Sequence, residues 1–267
     1  MQPSLNGLTV LVTRPEHQAD PLCRLIEQHG GQAIRCPALV IDEPQDWTPA
    51  LAILDRLDRY DLAIFTSANA VDRAMPLIQQ RSGIPPRLEI TAIGKATAQA
   101  LARHGVTPGL QPVQSFTSET LLTLLRFQAA TVSGQAIVIV RGEGGRGLLA
   151  ETLSARGAQV DHVEVYRRSR PTADFTALLK RWQRRPIGAV VVTSGESLLN
   201  LFDLLGTAGQ DYLQETPLIV VSARIQHIAA ARGCRRILIA QEASDDAIIT
   251  ALLRLDALSS HPFGEAI

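Results

Sequence analysis

Residues 63–71 read AIFTSANAV, and residues 190–198 read VVVTSGESL. Each is an apolar, β-branched run that stops at Thr-Ser and opens into a helix-like stretch. The two lie 127 residues apart, and other segments pair up at nearly the same offset. EQHGGQAIRCPAL (27–39) matches SARGAQVDHVEV (154–165), with Gly30 against Gly157, again at 127. TAIGKATAQALARHG (91–105) matches IVVSARIQHIAAARG (219–233) at 128, and SETLLTLL (118–125) resembles DDAIITAL (245–252) at 127. Four matches, in order and at one spacing, point to an internal tandem duplication.

Strand-like and helix-like segments alternate around these repeats. LTVLVT (8–13) precedes helical PLCRLIEQHGG (21–31), LAIFTS (62–67) precedes NAVDRAMPLIQQ, and EITAIG (89–94) precedes KATAQALARHG. IVIV (137–140), AVVVTS (189–194) and LIVVS (218–222) each open into a further helix-like segment. The alternation predicts an α/β fold with parallel sheets, in two similar domains. CPALVIDEPQD (36–46) and HVEVYRRSRPTAD (162–174) mix β-branched residues, prolines and charges, and they are equivalent in the repeat. They read as two crossings between the domains.

The 267 residues suffice for one large core or two modest ones. Lys+Arg and Asp+Glu balance at 26 each, so no nucleic-acid or polyanion surface is expected. No apolar run is long enough for a membrane span, and MQPSLNGLTVLVTR lacks the pattern of an export signal. Cys23, Cys36 and Cys234 share no C-x-x-C spacing and read as reduced packing residues of a cytoplasmic protein. The histidines are scattered without ligand spacing, so no metal is expected.

AIVIVRGEGGRG (136–147) offers a rival reading. Gly142, Gly144 and Gly147 fit G-x-G-x-x-G, LLAETLSARG follows as a helix, and Asp161 lies near the offset of a ribose-binding acid. The counterpart in the first copy, TRPEHQAD (13–20), has no glycine. Asp161 also opens DHVEVYRRSRP, which reads as a crossing ribbon rather than the strand that closes a dinucleotide-binding βαβ unit. NAD or FAD binding is therefore not expected, and a nicotinamide oxidoreductase ranks third among the readings.

In their order and spacing, VLVTRPEHQA, AIFTSANAV, TAIGKATAQAL, VIVRGEGGRGLLAETL, GAQVDHVEVYRR, VVVTSGESLLNL and LIVVSAR resemble the uroporphyrinogen-III synthase family over nearly the whole chain. The resemblance implies two similar flavodoxin-like (HemD-like) lobes joined by a two-stranded β ribbon. One lobe would comprise residues 1–37 and 172–267, the other residues 45–163, with residues 38–44 and 164–171 as the ribbon. It further implies a cofactor-free cyclising hydro-lyase of tetrapyrrole biosynthesis, working between the lobes on hydroxymethylbilane. That linear tetrapyrrole loses its hydroxyl to give an azafulvene. Ring D then attacks through its substituted carbon, and the resulting spiro intermediate recloses with ring D inverted. The implied partners are this substrate and hydroxymethylbilane synthase as the donor of a hand-over, with no nucleic acid, no membrane and a monomeric chain. The rival from another class is a non-catalytic two-lobed small-molecule binding or sensor protein.

The substrate carries eight carboxylates, and helix N-termini suit anions. The turns that would present them contain Ser67 and Asn69; Gly94, Lys95 and Thr97; Arg141, Gly142, Gly144, Gly145 and Arg146; Ser194; and Ser222 with Arg224. The glycines of RGEGGRG would let backbone amides approach a carboxylate. Arg14, Arg141 and Arg146 are the candidate charged grips. Tyr166, which matches the tyrosine of the family's VYRR-like motif, is the candidate acid for the departing hydroxyl, because a phenol holds its proton at neutral pH. Thr97 matches a family position whose hydroxyl reaches the substrate, whereas the equivalent position in the other copy is Ile225.

Overall fold

The computed structural model describes residues 4–110, 117–172 and 174–259, with side chains to residue 255. The lobe expected to run to residue 267 thus ends outside the described residues. The chain divides into two compact units, Met1–Val40 with Ser169–Ile267, and Ile41–Arg168.

In chain order, β1 (Thr9–Val12), α1 (Glu16–Gln28) and β2 (Gln32–Arg35) lead into β3 (Val40–Asp42) and α2 (Thr48–Leu54). Next come β4 (Leu62–Phe65), α3 (Ala68–Gln79), β5 (Glu89–Ala92), α4 (Lys95–Arg103), α5 (Ser118–Thr123) and α6 (Ala129–Val132). β6 (Ala136–Gly142), α7 (Leu148–Ala155), β7 (Gln159–Ser169), α8 (Thr176–Arg184) and β8 (Ala189–Val192) follow. α9 (Gly195–Glu215), β9 (Leu218–Val220), α10 (Ala223–Ala231), β10 (Ile237–Ile239) and α11 (Asp245–Ser259) complete the chain. Helix α1 begins five residues before the stretch read from sequence, because Pro21 is accommodated inside its first turns.

The first unit holds a five-stranded sheet ordered β10-β9-β8-β1-β2. Its strand pairs are parallel, and β1 joins β8 although Thr13 and Val191 are 178 residues apart in sequence. Numbered within the unit, the order is 2-1-3-4-5, that of a doubly wound sheet. Side-chain alternation sorts the strands between two cores. Leu11, Val190, Val192, Leu218 and Val220 pack on one side with Trp182, Leu201 and Phe202. Val10, Val12, Ala189, Val191 and Ile219 pack on the other with Leu22, Ile26, Ile248 and Leu252. Both faces are covered by helices, which is what parallel strands require.

The second unit's sheet is ordered β3-β7-β6-β4-β5. Leu62, Ile64, Ile137 and Ile139 pack there against Leu121, Phe127, Leu149 and Leu153. The β4–β6, β4–β5 and β6–β7 pairs are parallel. Their registers repeat those of the first unit. Ala63 faces Val138 as Val190 faces Leu11, and Val138 faces Asp161 as Leu11 faces Ile34. The α/β reading with parallel sheets thus describes the fold.

Two sequence expectations change. The strand β7 is one element of eleven residues that pairs with β6 as far as Tyr166, so the second unit's sheet takes up residues assigned to a ribbon. The RGEGGRG turn consequently does sit in a βαβ unit, β6-α7-β7. The strand-like character of DHVEVY was masked by its charges, which lie on positions that β7 leaves exposed or partly exposed.

Candidate functional site

In open parallel sheets, ligands are taken up beyond the strand C-termini where the strand order reverses. In the second unit that switch point lies between β4 and β6, whose turns carry Ser67–Asn69 and Arg141–Gly147. In the first unit it lies between β1 and β8, followed by Arg14 and Ser194. The remaining candidates stand one strand away, Gly94, Lys95 and Thr97 after β5 and Ser222 with Arg224 after β9. All the expected residues except Tyr166 therefore sit at strand-to-helix turns, and Tyr166 sits on β7 at the same end of the sheet.

The six turns are not chemically equal. Ser67, Ser194 and Ser222 cap their helices: each Oγ accepts a backbone N–H, from Ala70 at 3.1 Å, Ser197 at 3.0 Å and Ile225 at 3.4 Å. Those serines already satisfy one orphan donor at each helix start. Gly94 and Gly147 precede α4 and α7 with no side-chain cap. Among the described residues, the amides of Gly144, Gly145 and Arg146 also have no acceptor. Helix α1, which follows Arg14 in the first unit, likewise starts at Pro15 with no side-chain cap.

Tyr166 is 4% exposed, and its hydroxyl lies 3.2 Å from Ser67 Oγ in a hydrogen bond. A register shift between Arg141 and Gly142 puts Tyr166 opposite Gly142. A bulge of this kind re-aims a side chain. The ring then lies over Gly142 so closely that a Cβ there would come within 2.5 Å of it. The Glu143 amide donates to the Tyr166 carbonyl at 2.8 Å, and Glu143 Oε1 accepts the Gln45 amide at 2.6 Å. Gly142 therefore serves Tyr166 first, and Glu143 is a residue of this site that the sequence reading passed over.

The arginines differ from expectation. Arg141 is 8% exposed, and its guanidinium turns inward to the carbonyls of Gly142 (3.2 Å) and Arg146 (3.4 Å). Arg14 pairs with Asp245 at 2.6 Å with a largely covered side chain. Arg146 pairs with Glu119 at 2.6 Å but leaves 67% of its side chain exposed. Glu119 titrates below the ordinary carboxylate range, chiefly through its own backbone amide and then through Arg146. Asp245 opens DDAIITAL, and the offset that equates Arg14 with Arg141 was a readable signal for examining both. Thr97 is 3% exposed and packs inside the first turn of α4, as Ile225 does in α10 at 4%, while Lys95 and Arg224 stand at the surface.

Asp161, the expected ribose acid of the rival reading, accepts the Tyr60 hydroxyl at 2.6 Å. It lies near the start of β7, opposite Val138, at the far end of the strand from the turn. Among the described residues no group of three His, Cys, Asp or Glu side chains is placed to hold a metal, and no helix is long and apolar enough to cross a membrane.

A family model described as "Uroporphyrinogen-III synthase HemD" matches residues 20–250. The uroporphyrinogen-III synthase of Escherichia coli is 36% identical over 248 residues, covering 92% of this chain and all of that protein. That of Salmonella typhimurium is 34% identical over 250 residues, with 92% and 100% covered. The chain belongs to the uroporphyrinogen-III synthase family. Solved structures agree at the level of the fold. A uroporphyrinogen III synthase from the extremely thermophilic bacterium Thermus thermophilus aligns with a TM-score of 0.63 at 16% identity, over 95% of this chain and all of that one. The enzyme from Helicobacter pylori aligns with a TM-score of 0.58 at 13% identity, with the same coverage. The Tyr166–Ser67 pair lies within the stretch that the family model matches.

Proposed function

We propose that this chain closes hydroxymethylbilane to uroporphyrinogen III, with loss of water and inversion of ring D. It is a cyclising lyase of tetrapyrrole biosynthesis. The observation that carries this reading is a 36% identical uroporphyrinogen-III synthase matched over its entire length.

The site geometry supports a division of labour. Tyr166 donates its hydroxyl proton toward the leaving hydroxyl of the substrate, so that the C–O bond breaks and water departs. Ser67 holds the phenol at the end of β7, because its Oγ is itself fixed by the Ala70 amide. The open amides of Gly144, Gly145 and Arg146, with the exposed Arg146 guanidinium, receive a substrate carboxylate. Gly94, Lys95 and Asn69 form the neighbouring rim, with Thr97 packed beneath it. In the first unit Arg14, Ser194, Ser222 and Arg224 are the corresponding candidates. Much of the catalytic gain comes from positioning, because the substrate also closes unaided to the uninverted isomer.

The two units are read as copies of one ancestral α/β unit, with residues 1–37 and 172–267 as one lobe and 45–163 as the other; the ribbon of residues 38–44 and 164–171 then carries β3 and the end of β7, of which residues 164–166 also pair in the second unit's sheet. The shared strand registers support that reading. The reading includes a monomeric cytoplasmic enzyme, free of cofactor, that takes its labile substrate from hydroxymethylbilane synthase.

Incubation with enzymatically generated hydroxymethylbilane, followed by isomer analysis, tests the function. Isomer III is expected. Isomer I alone, at the rate of the protein-free control, would leave a binding module.

A further inference from the structure

Arg141 closes β6 with a side chain only 10% exposed, beneath a turn in which positions 142, 144, 145 and 147 are all glycine. Such a turn has little intrinsic shape, since glycine restricts its own backbone least of all residues. What shapes it is the guanidinium. Nε donates to the Gly142 carbonyl at 3.2 Å and Nη1 to the Arg146 carbonyl at 3.4 Å, so one planar group spans both ends of the loop. Glu164 Oε1 lies 3.9 Å from Nε on the neighbouring strand. Gly145 lies flat against the group, where a Cβ would stand 2.1 Å from Nη2 and 2.8 Å from Cζ.

We propose that Arg141 is a positioning residue for the cyclisation: it shapes the turn from within and does not touch the substrate. By fixing the Gly142 and Arg146 carbonyls inward, it keeps the amides of Gly144, Gly145 and Arg146 available to a carboxylate and holds Gly142 under the Tyr166 ring. The proposal rests on the reading of that turn as a carboxylate site. It makes a distinction that a direct ion pair does not. A substrate grip needs charge, which lysine keeps; a brace needs the planar fork, which lysine lacks.

The test compares Arg141→Lys, Arg141→Met and Gly145→Ala with the parent. The backbone at Gly145 is not left-handed, so alanine there adds only a collision with the guanidinium. All three variants should lose roughly 10²-fold in kcat/KM, the scale expected for an ångström-sized misplacement, and should release more isomer I. Arg141→Lys should give no rescue, and Arg141→Met combined with Gly145→Ala should be no worse than either alone. Amide NMR of residues 142–146 without substrate should show the turn losing its single conformation in each variant. Near-parent turnover in Arg141→Lys with loss in Arg141→Met would establish a charge grip and overturn the proposal. Parent-like turn amides in Arg141→Lys would do the same. If Arg141→Met does not fold, Gly145→Ala carries the comparison. A parent without isomer III activity would refute the proposed function, and the amide spectra would still decide whether Arg141 shapes the turn.

Discussion

Tyr166 shows how one side chain depends on the absence of another. Its ring occupies the space where a Gly142 side chain would be, and its hydroxyl meets the serine that caps α3. Tyr166→Phe removes the hydroxyl and keeps the ring, so ring closure should slow by roughly 10²–10⁴-fold if the phenol is the acid, less where water replaces it. Thermal stability should fall little, since one net hydrogen bond contributes about 1 kcal/mol. Stopped-flow consumption of hydroxymethylbilane checks the rate, and unchanged turnover would leave Tyr166 as packing. Its place as a candidate was legible through the VYRR motif. Its contact with Ser67 was not, because residues 99 positions apart in sequence meet only once β4 and β7 flank β6. The inward turn of Arg141 was equally hidden, since the same arginine–glycine sequence suits a grip or a brace.

At the scale of elements, the glycines that end helices were the clearest signals in the chain. Gly30, Gly105, Gly157 and Gly233 all have positive φ, and each amide bonds back to the carbonyl three residues earlier while the next amide reaches five residues back. This pairing stops a helix and turns the chain toward the next strand. A Cβ at Gly105 would meet nothing within 4 Å, whereas one at Gly157 would stand 2.8 Å from Ser133 Oγ. Gly105→Ala should therefore cost about 1–2 kcal/mol, the left-handed penalty alone, and Gly157→Ala measurably more. Urea midpoints at constant m test the ranking, and equal losses would show that Ser133 moves aside freely. Helix starts were less legible. The Ser-x-x pattern at Ser67, Ser194 and Ser222 signals a cap as readily as an anion site, and only the bonds to Ala70, Ser197 and Ile225 separate the two. The break in α9 at Gly206 (φ 60, ψ −175) is a bend that one glycine makes possible.

The molecule as a whole combines a stable two-unit scaffold with a reaction in which direction matters as much as speed. The scaffold has a readable alkaline limit. Burial pushes the Cys36 thiol up to about 12 from an ordinary 9.0, and desolvation with the Asp161 hydrogen bond pushes Tyr60 up to about 12 from 10.0. A raised folded pKa gives stability that is complete below the unfolded value and is lost as pH rises through the folded one. Urea midpoints should therefore fall between pH 9 and about 12, and less steeply in Cys36→Ala; parallel slopes would exclude the thiol as a source. The repeat made the two α/β copies legible because offset and order survive divergence. It could not say which turns hold open amides, since that depends on serine caps in one place and glycines in another. The consequence falls on Arg146, the exposed cation of the uncapped turn. Its ion pair with Glu119 is solvent-exposed, and such pairs contribute between nothing and about 1 kcal/mol, so a substrate carboxylate can displace Glu119 at little cost. Arg146→Ala should therefore leave stability unchanged while loosening one end of the bound tetrapyrrole. The azafulvene then leaves before ring D has attacked through its substituted carbon, and closes in solution to the uninverted product. Rate and fidelity should fall together, with the isomer I fraction rising under conditions where the parent gives nearly all isomer III. Chromatographic isomer ratios taken at equal conversion would check this. A slower variant that kept full isomer III fidelity would place Arg146 in substrate capture and leave ring D to be held elsewhere in the site.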